Sequence, residues 1–323
     1  MTAVMQYLEV AGWGEETWDD RDVTGVAVDS RDRVYVLRRG QNPVTVLDAA
    51  GTVVDRWGDG YFSDRPHLIS IGHDDTVYVA DDGGHRVLAF DTTGRLRETI
   101  GTGVPSNTGF DVERYGSAEA ALDQMQGGPP FNRPTKAVSN AAGELFVSDG
   151  YRNCRIHRYS ADRQQVHSWG GPGAADGSFV IPHSVTVDHD GRILVCDREN
   201  DRIQVFDRDG NLLQVWTHVQ RPTDVAVDRH GYVYVTELAR GPRDLKSWRL
   251  GRPGHELPGR VSVWSPHGGM VARISSAVNL LAPHAIAVDS IGAIYVAEVP
   301  QSFATATGRP RRQHRCLHKF AAG

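Results

Sequence analysis

The sequence predicts an all-β fold, a six-bladed β-propeller whose ring is closed by its own N-terminal strand. Three observations carry this reading. A two-strand phrase recurs six times along the 323 residues. A third and a fourth strand follow several copies. The chain also opens on a segment shaped like the strand that its last copy lacks.

The repeated phrase is an apolar-x-apolar run ending near Asp, a turn, then a β-branched or aromatic run. Its copies are VTGVAVDSRDRVYVLRR at 23–39, PHLISIGHDDTVYVADD at 66–82 and PTKAVSNAAGELFVSDG at 134–150. They continue with PHSVTVDHDGRILVCDR at 182–198, PTDVAVDRHGYVYVTEL at 222–238 and PHAIAVDSIGAIYVAEV at 283–299. Period-two alternation marks two strands per copy, and turns such as HDG and RHG join them as hairpins. Third strands follow at RVLAF (86–90), RIHRY (155–159) and RIQVF (202–206), and a fourth strand often ends in Trp-Gly. Four antiparallel strands per roughly 45 residues make a blade, which must stack on neighbours to bury its faces. The sixth copy ends at CLHKF (316–320), so YLEVAGWG (7–14) is expected to supply its outer strand. Residues 1–323 are therefore expected to form a single propeller domain, interrupted at 102–133, 239–259 and 300–314. Insertions of this length are lids or irregular loops.

Composition agrees. The 35 Gly and 16 Pro suit many short strands and tight turns. No run approaches the roughly 18 apolar residues of a membrane span. The N-terminus lacks the basic and apolar regions of a secretory signal. Cys154, Cys196 and Cys316 are odd in number and irregularly spaced, which reads as reduced thiols in a cytoplasmic protein. A net charge of -5 argues against a nucleic-acid or anionic-membrane partner. The basic stretch GRPRRQHR at 308–315 reads as a solvated loop. A closed ring needs no second copy to cover its strands, so a monomer is expected.

Aligning the copies on their first strands exposes the column Thr24, His67, Thr135, His183, Thr223 and His284. First strands line a propeller's channel, so three histidines on alternate blades converge on the axis. Repeat-consensus histidines capping strand starts would also recur. The threonines on the odd blades argue against that, because the repeat does not require His there. Three imidazoles without a fourth protein ligand form an open metal site, and zinc is the leading candidate. A second column follows the acid that ends the second strand, and it places Arg39 and Arg198 on opposite sides of the channel. Their guanidinium forks suit a substrate carboxylate. Arg86, Arg155 and Arg202 recur together and are expected to tie blade loops instead. Tyr151, in the loop over the same rim, can act as acid or base beside a metal, although a loop tyrosine more often serves packing.

The segments FVSDGYRNCRI, FVIPHSVTV and VCDRENDRIQVF resemble the catalytic core of the peptidyl-α-hydroxyglycine α-amidating lyases, propellers of NHL-type repeats. The likeness spans nearly the whole chain. It implies that His67, His183 and His284 hold zinc, with Arg39, Arg198 and Tyr151 completing the site. The implied reaction cleaves a carbinolamide, N–CH(OH)–COO⁻, to an amide and glyoxylate. The metal would polarise the hydroxyl, Tyr151 would act as base, and the two arginines would clamp the carboxylate. Where the family has an Asp serving calcium this chain has Ala285, so calcium is not carried over. The secreted enzymes' blade disulfides are missing too, since Arg152 stands at a cysteine position. The chain contains no copper hydroxylase domain. The expected substrate is therefore a small hydroxylated acid or amide, or a short peptide, bearing a carboxylate. Two other functions fit a propeller: a lactonase-like metal hydrolase, and a non-catalytic scaffold binding protein or RNA.

Overall fold

The computed structural model describes residues 7–14, 18, 21–105, 131–242, 244, 247, 250–274, 280–310 and 314–322. The central part of the first insertion, 106–130, where a lid or irregular loop is expected, lies outside them. Six four-stranded antiparallel sheets are present, five of them meanders in sequence order and the sixth completed by the chain's first strand. The innermost strands are Val23–Val28, Pro66–Ile71, Lys136–Ser139, Pro182–Val187, Pro222–Val227 and Pro283–Val288. Each touches the next, and the sixth touches the first, which closes the ring. In the sixth sheet the order outward is Pro283–Val288, Ile294–Glu298, Leu317–Ala322, then the N-terminal Tyr7–Glu9. The closing register pairs Tyr7 with Ala322 and Glu9 with Phe320.

Apolar clusters fill every blade-to-blade interface, because strands alternate their side chains between the two faces of a blade. Leu37 and Val79 meet between blades one and two, and Phe146 and Val185 between three and four. Tyr295 meets Val36 between six and one. The Trp-Gly pattern has a packing cause. Gly94, Gly210 and Gly268 adopt φ between 78° and 85° in tight turns. A β-carbon on any of them would strike Trp57, Trp169 or Trp216 from the preceding blade. At the closing contact a β-carbon on Gly51 would likewise strike Gly14 and Trp13, so the seal resembles the joint at these three blade boundaries.

The acid ending a second strand organises the loop before its blade. Asp197 accepts the Val180 N–H at 2.7 Å and an Arg202 contact at 2.8 Å. Asp81 likewise takes Arg86 at 3.2 Å. Arg155 breaks the expected pattern: among the described residues its Nε has no partner. Asp149 is instead engaged by Asn153 and by His157, where arginines hold the equivalent acid in blades two, four and five. The insertions also acquire structure. Residues 300–307 form a helix, α1 (Pro300–Thr307), whose first N–H groups are capped from blade one by Asp22. The basic stretch at 308–315 is not a solvated loop where it is described. Arg309 pairs with Asp244 and Glu256, and Arg315 reaches the Trp13 and Leu317 carbonyls. Residues 311–313 lie outside the described set.

Candidate metal centre

The inner strands of blades two, four and six bring His67, His183 and His284 together at the axis, all buried. Their ring centroids are 4.7, 4.9 and 4.8 Å apart, nearly an equilateral triangle. The alternating threonines build this arrangement. His67 Nδ1 donates to the Thr135 carbonyl at 2.8 Å, His183 Nδ1 to Thr223 at 2.7 Å, and His284 Nδ1 to Thr24 at 2.7 Å. Every imidazole is thus fixed by the threonine of the next blade. The Thr135 and Thr223 hydroxyls donate onward to the carbonyls of Pro182 and Pro283, the residues preceding the next two histidines. The threonine column is therefore the frame of the histidine column.

This frame sets the tautomer. With Nδ1–H committed to a carbonyl, each Nε2 keeps its lone pair, as a metal ligand must. Burial pushes all three imidazoles well below their ordinary pKa, with Arg198 adding to the effect on each and Arg39 on His67 and His284, so the set is neutral at pH 7. The three donor atoms lie within 4.8 Å of one another. The Tyr151 hydroxyl is 3.0 Å from His67 Nε2 and 3.4 Å from His183 Nε2, so these lone pairs face one shared point. Three neutral imidazoles with locked tautomers fit a divalent transition metal with an open coordination position.

The remaining sequence-selected residues gather on the same rim. Tyr151 lies between two cations, with Arg133 and Arg198 at 4.7 and 5.7 Å from its ring centroid. Arg198 Nε donates to Glu199 at 2.8 Å. Arg39 Nη1 donates to Ser302 Oγ of helix α1 at 3.0 Å, and its Nε has no partner among the described residues. No carboxylate is paired with Arg39 within that set. Burial, then the neighbouring Arg65 charge, lowers its pKa, as expected of a guanidinium short of an anion.

Sequence reasoning missed the residues behind these groups. Glu199 is fully buried beneath Arg198, Arg221 and Arg240. It directly follows Arg198 in the DREN segment. Asp82 clamps Arg133 at 2.6 and 3.1 Å and also holds Arg65. Lys136 of blade three pairs with Asp224 of blade five at 2.5 Å, linking non-adjacent inner strands across the channel. Lysine and aspartate directly after the threonine column were the available signal for that pair.

An NHL repeat model matches residues 179–206, the segment that carries His183 and Arg198. NHL repeat-containing protein 3 of Mus musculus is 32% identical over 292 residues, covering 85% of this chain and 76% of that protein. Peptidyl-alpha-hydroxyglycine alpha-amidating lyase 1 of Drosophila melanogaster is 26% identical over 330 residues, covering 96% of this chain but 54% of that protein. Among solved structures, a gluconolactonase of Xanthomonas campestris superposes with a TM-score of 0.58 at 12% identity, over 95% of this chain and 89% of that one. At that identity the likeness concerns the fold alone.

Proposed function

Because the chain belongs to the NHL-repeat family of NHL repeat-containing protein 3 and the amidating lyases, we propose that it is a zinc-dependent lyase. Its substrate would be an α-hydroxylated compound of the type N–CH(OH)–COO⁻. The single observation that carries this reading is the Tyr151 hydroxyl standing on two of the three converging Nε2 atoms, between Arg133 and Arg198. His67, His183 and His284 would hold the zinc, which supplies Lewis-acid polarisation of a bound oxygen.

The chain's own groups do the rest. Arg39 and Arg198, on opposite sides of the rim, hold the substrate carboxylate, and Arg39 needs an anion to complete its environment. Tyr151 takes the hydroxyl proton. The O–H electron pair becomes the carbonyl of glyoxylate, the C–N bond breaks, and the departing amide nitrogen gains a proton, so atoms and charge balance. Glu199 and Ser302 are positioning residues, fixing Arg198 and Arg39 respectively. The imidazole donor set favours this reading over a lactonase-like hydrolase, and the buried metal-type site favours it over a scaffold.

Glyoxylate release from N-acyl-α-hydroxyglycines, presented as short peptides and as small amides, tests the proposal. Tyr151→Phe is expected to lower kcat by about 10²–10⁴, the usual contribution of a positioned acid or base, with metal content unchanged. Arg39→Ala is expected to raise KM by about tenfold or more, in keeping with loss of one charge-assisted contact. No glyoxylate from any of these compounds by the zinc-loaded protein would overturn the lyase reading.

A further inference from the structure

The ring closure contains a second cluster of titratable groups, remote from the channel in its partners. His318 lies on Leu317–Ala322, the strand that receives the N-terminal strand Tyr7–Glu9. Its Nδ1 is 2.8 Å from Glu9 Oε1. Its Nε2 is 2.9 Å from the Arg315 carbonyl and 3.4 Å from Glu298 Oε2. Glu298 is fully buried, receives the Ala282 N–H at 2.9 Å and also contacts His314 Nε2. Both nitrogens of a buried imidazole thus face acceptors. A neutral ring has one N–H and would set a lone pair against an oxygen on its other side; only the imidazolium satisfies both.

The charged surroundings agree. Burial opposes charge on His318, but Glu298 and then Glu9 outweigh it and raise its pKa above 6.5. His314 adds a third titratable group, and the Phe320 ring stacks on His318. Lys319 points away, over Trp13 and Tyr295. Blade five meets the closing strand through the Tyr7–Tyr234 hydroxyl pair, with Asp228 behind it. Glu298, His314 and His318 also form a set of donors within 4.8 Å. Unlike the channel histidines, they already contact one another at hydrogen-bonding distance, which leaves a proton rather than an ion between them.

We propose that closure of the propeller is latched by a proton, the His318 imidazolium joining Glu9 of the N-terminal strand to Glu298 of blade six. A raised histidine pKa contributes stability that is complete below the unfolded value and lost as pH rises through the folded one. The N-terminal strand is therefore held most firmly below the ordinary histidine pKa and loosens as the pH rises through the raised one.

The test is amide hydrogen exchange of residues 7–10 in the full chain between pH 6 and pH 9, corrected for intrinsic rates, beside Glu9→Gln and His318→Gln. Wild-type protection of this strand should fall by about tenfold for each unit by which folding raises the histidine pKa. Inner strands should keep theirs. Glu9 is partly exposed, so Glu9→Gln should fold even if His318→Gln does not. Its closing strand should be less protected at pH 6 and less sensitive to pH. Equal pH dependence in wild type and Glu9→Gln would overturn the latch. So would a second equivalent of bound zinc that disappears with His318→Gln.

Discussion

His183→Ala is expected to strip the channel of its metal. The wild type should carry about one zinc per chain, as a three-histidine site implies, and the variant close to none. The reason is geometric. His183 is fully buried and held through Nδ1 to the Thr223 carbonyl, which fixes its Nε2 as the third donor beside those of His67 and His284. Two imidazoles and a tyrosine hydroxyl make a far weaker set, and turnover should fall by about a thousandfold or more, since the Lewis acid is lost outright. The substitution also leaves the Thr223 carbonyl buried without its donor, at a cost of about 1–3 kcal/mol. Elemental analysis of folded protein, with thermal unfolding run alongside, separates metal loss from unfolding. A His183→Ala protein that retains its zinc would place the metal elsewhere and remove the basis for the site.

How much of this was legible in the sequence follows from what repeats make visible. The blades, the closing strand and the histidine column are periodic, so aligning six copies reveals them without any knowledge of contacts. Arg39 and Arg198 are legible for the opposite reason, because they stand outside the recurrence of Arg86 and Arg202. The frame is different. That the threonine carbonyls hold the imidazoles depends on how each inner strand is offset from the next, which no single repeat records. Glu199 gathers Arg198 from its own blade, Arg221 from the next and Arg240 from an insertion. Nothing periodic links those three positions. Helix α1 and its Ser302 contact lie in a segment that the repeat pattern treats as an interruption. Arg155 shows the limit even inside the pattern, since matching position in the repeat did not give it the partner that Arg86 and Arg202 have.

The Glu199 hub carries the second large expectation. Burial alone would raise this carboxyl's pKa, but Arg221, Arg198 and Arg240 outweigh it and hold it at about 2. Against its ordinary value of 4.5, that difference corresponds to about 3 kcal/mol of native stability. The folded pKa is depressed, so the contribution is complete above 4.5 and is lost as pH falls toward 2. Glu199→Gln removes it and leaves three buried guanidinium groups facing a neutral amide. The variant should therefore be less stable than wild type by about 3 kcal/mol at pH 7, in line with breaking a buried ion pair. The gap should narrow to roughly half by pH 3, where the unfolded carboxyl is already protonated and the folded one still largely ionised. Urea unfolding of both proteins across this range measures it, and a gap independent of pH would mean that Glu199 acts through packing rather than charge. The same substitution frees Arg198 from its anchor, so a rise in KM with unchanged zinc content is expected beside the stability loss. Stability falling without any change in KM would restrict Glu199 to the scaffold, because an arginine that needs no anchoring gains nothing from a buried carboxylate behind it.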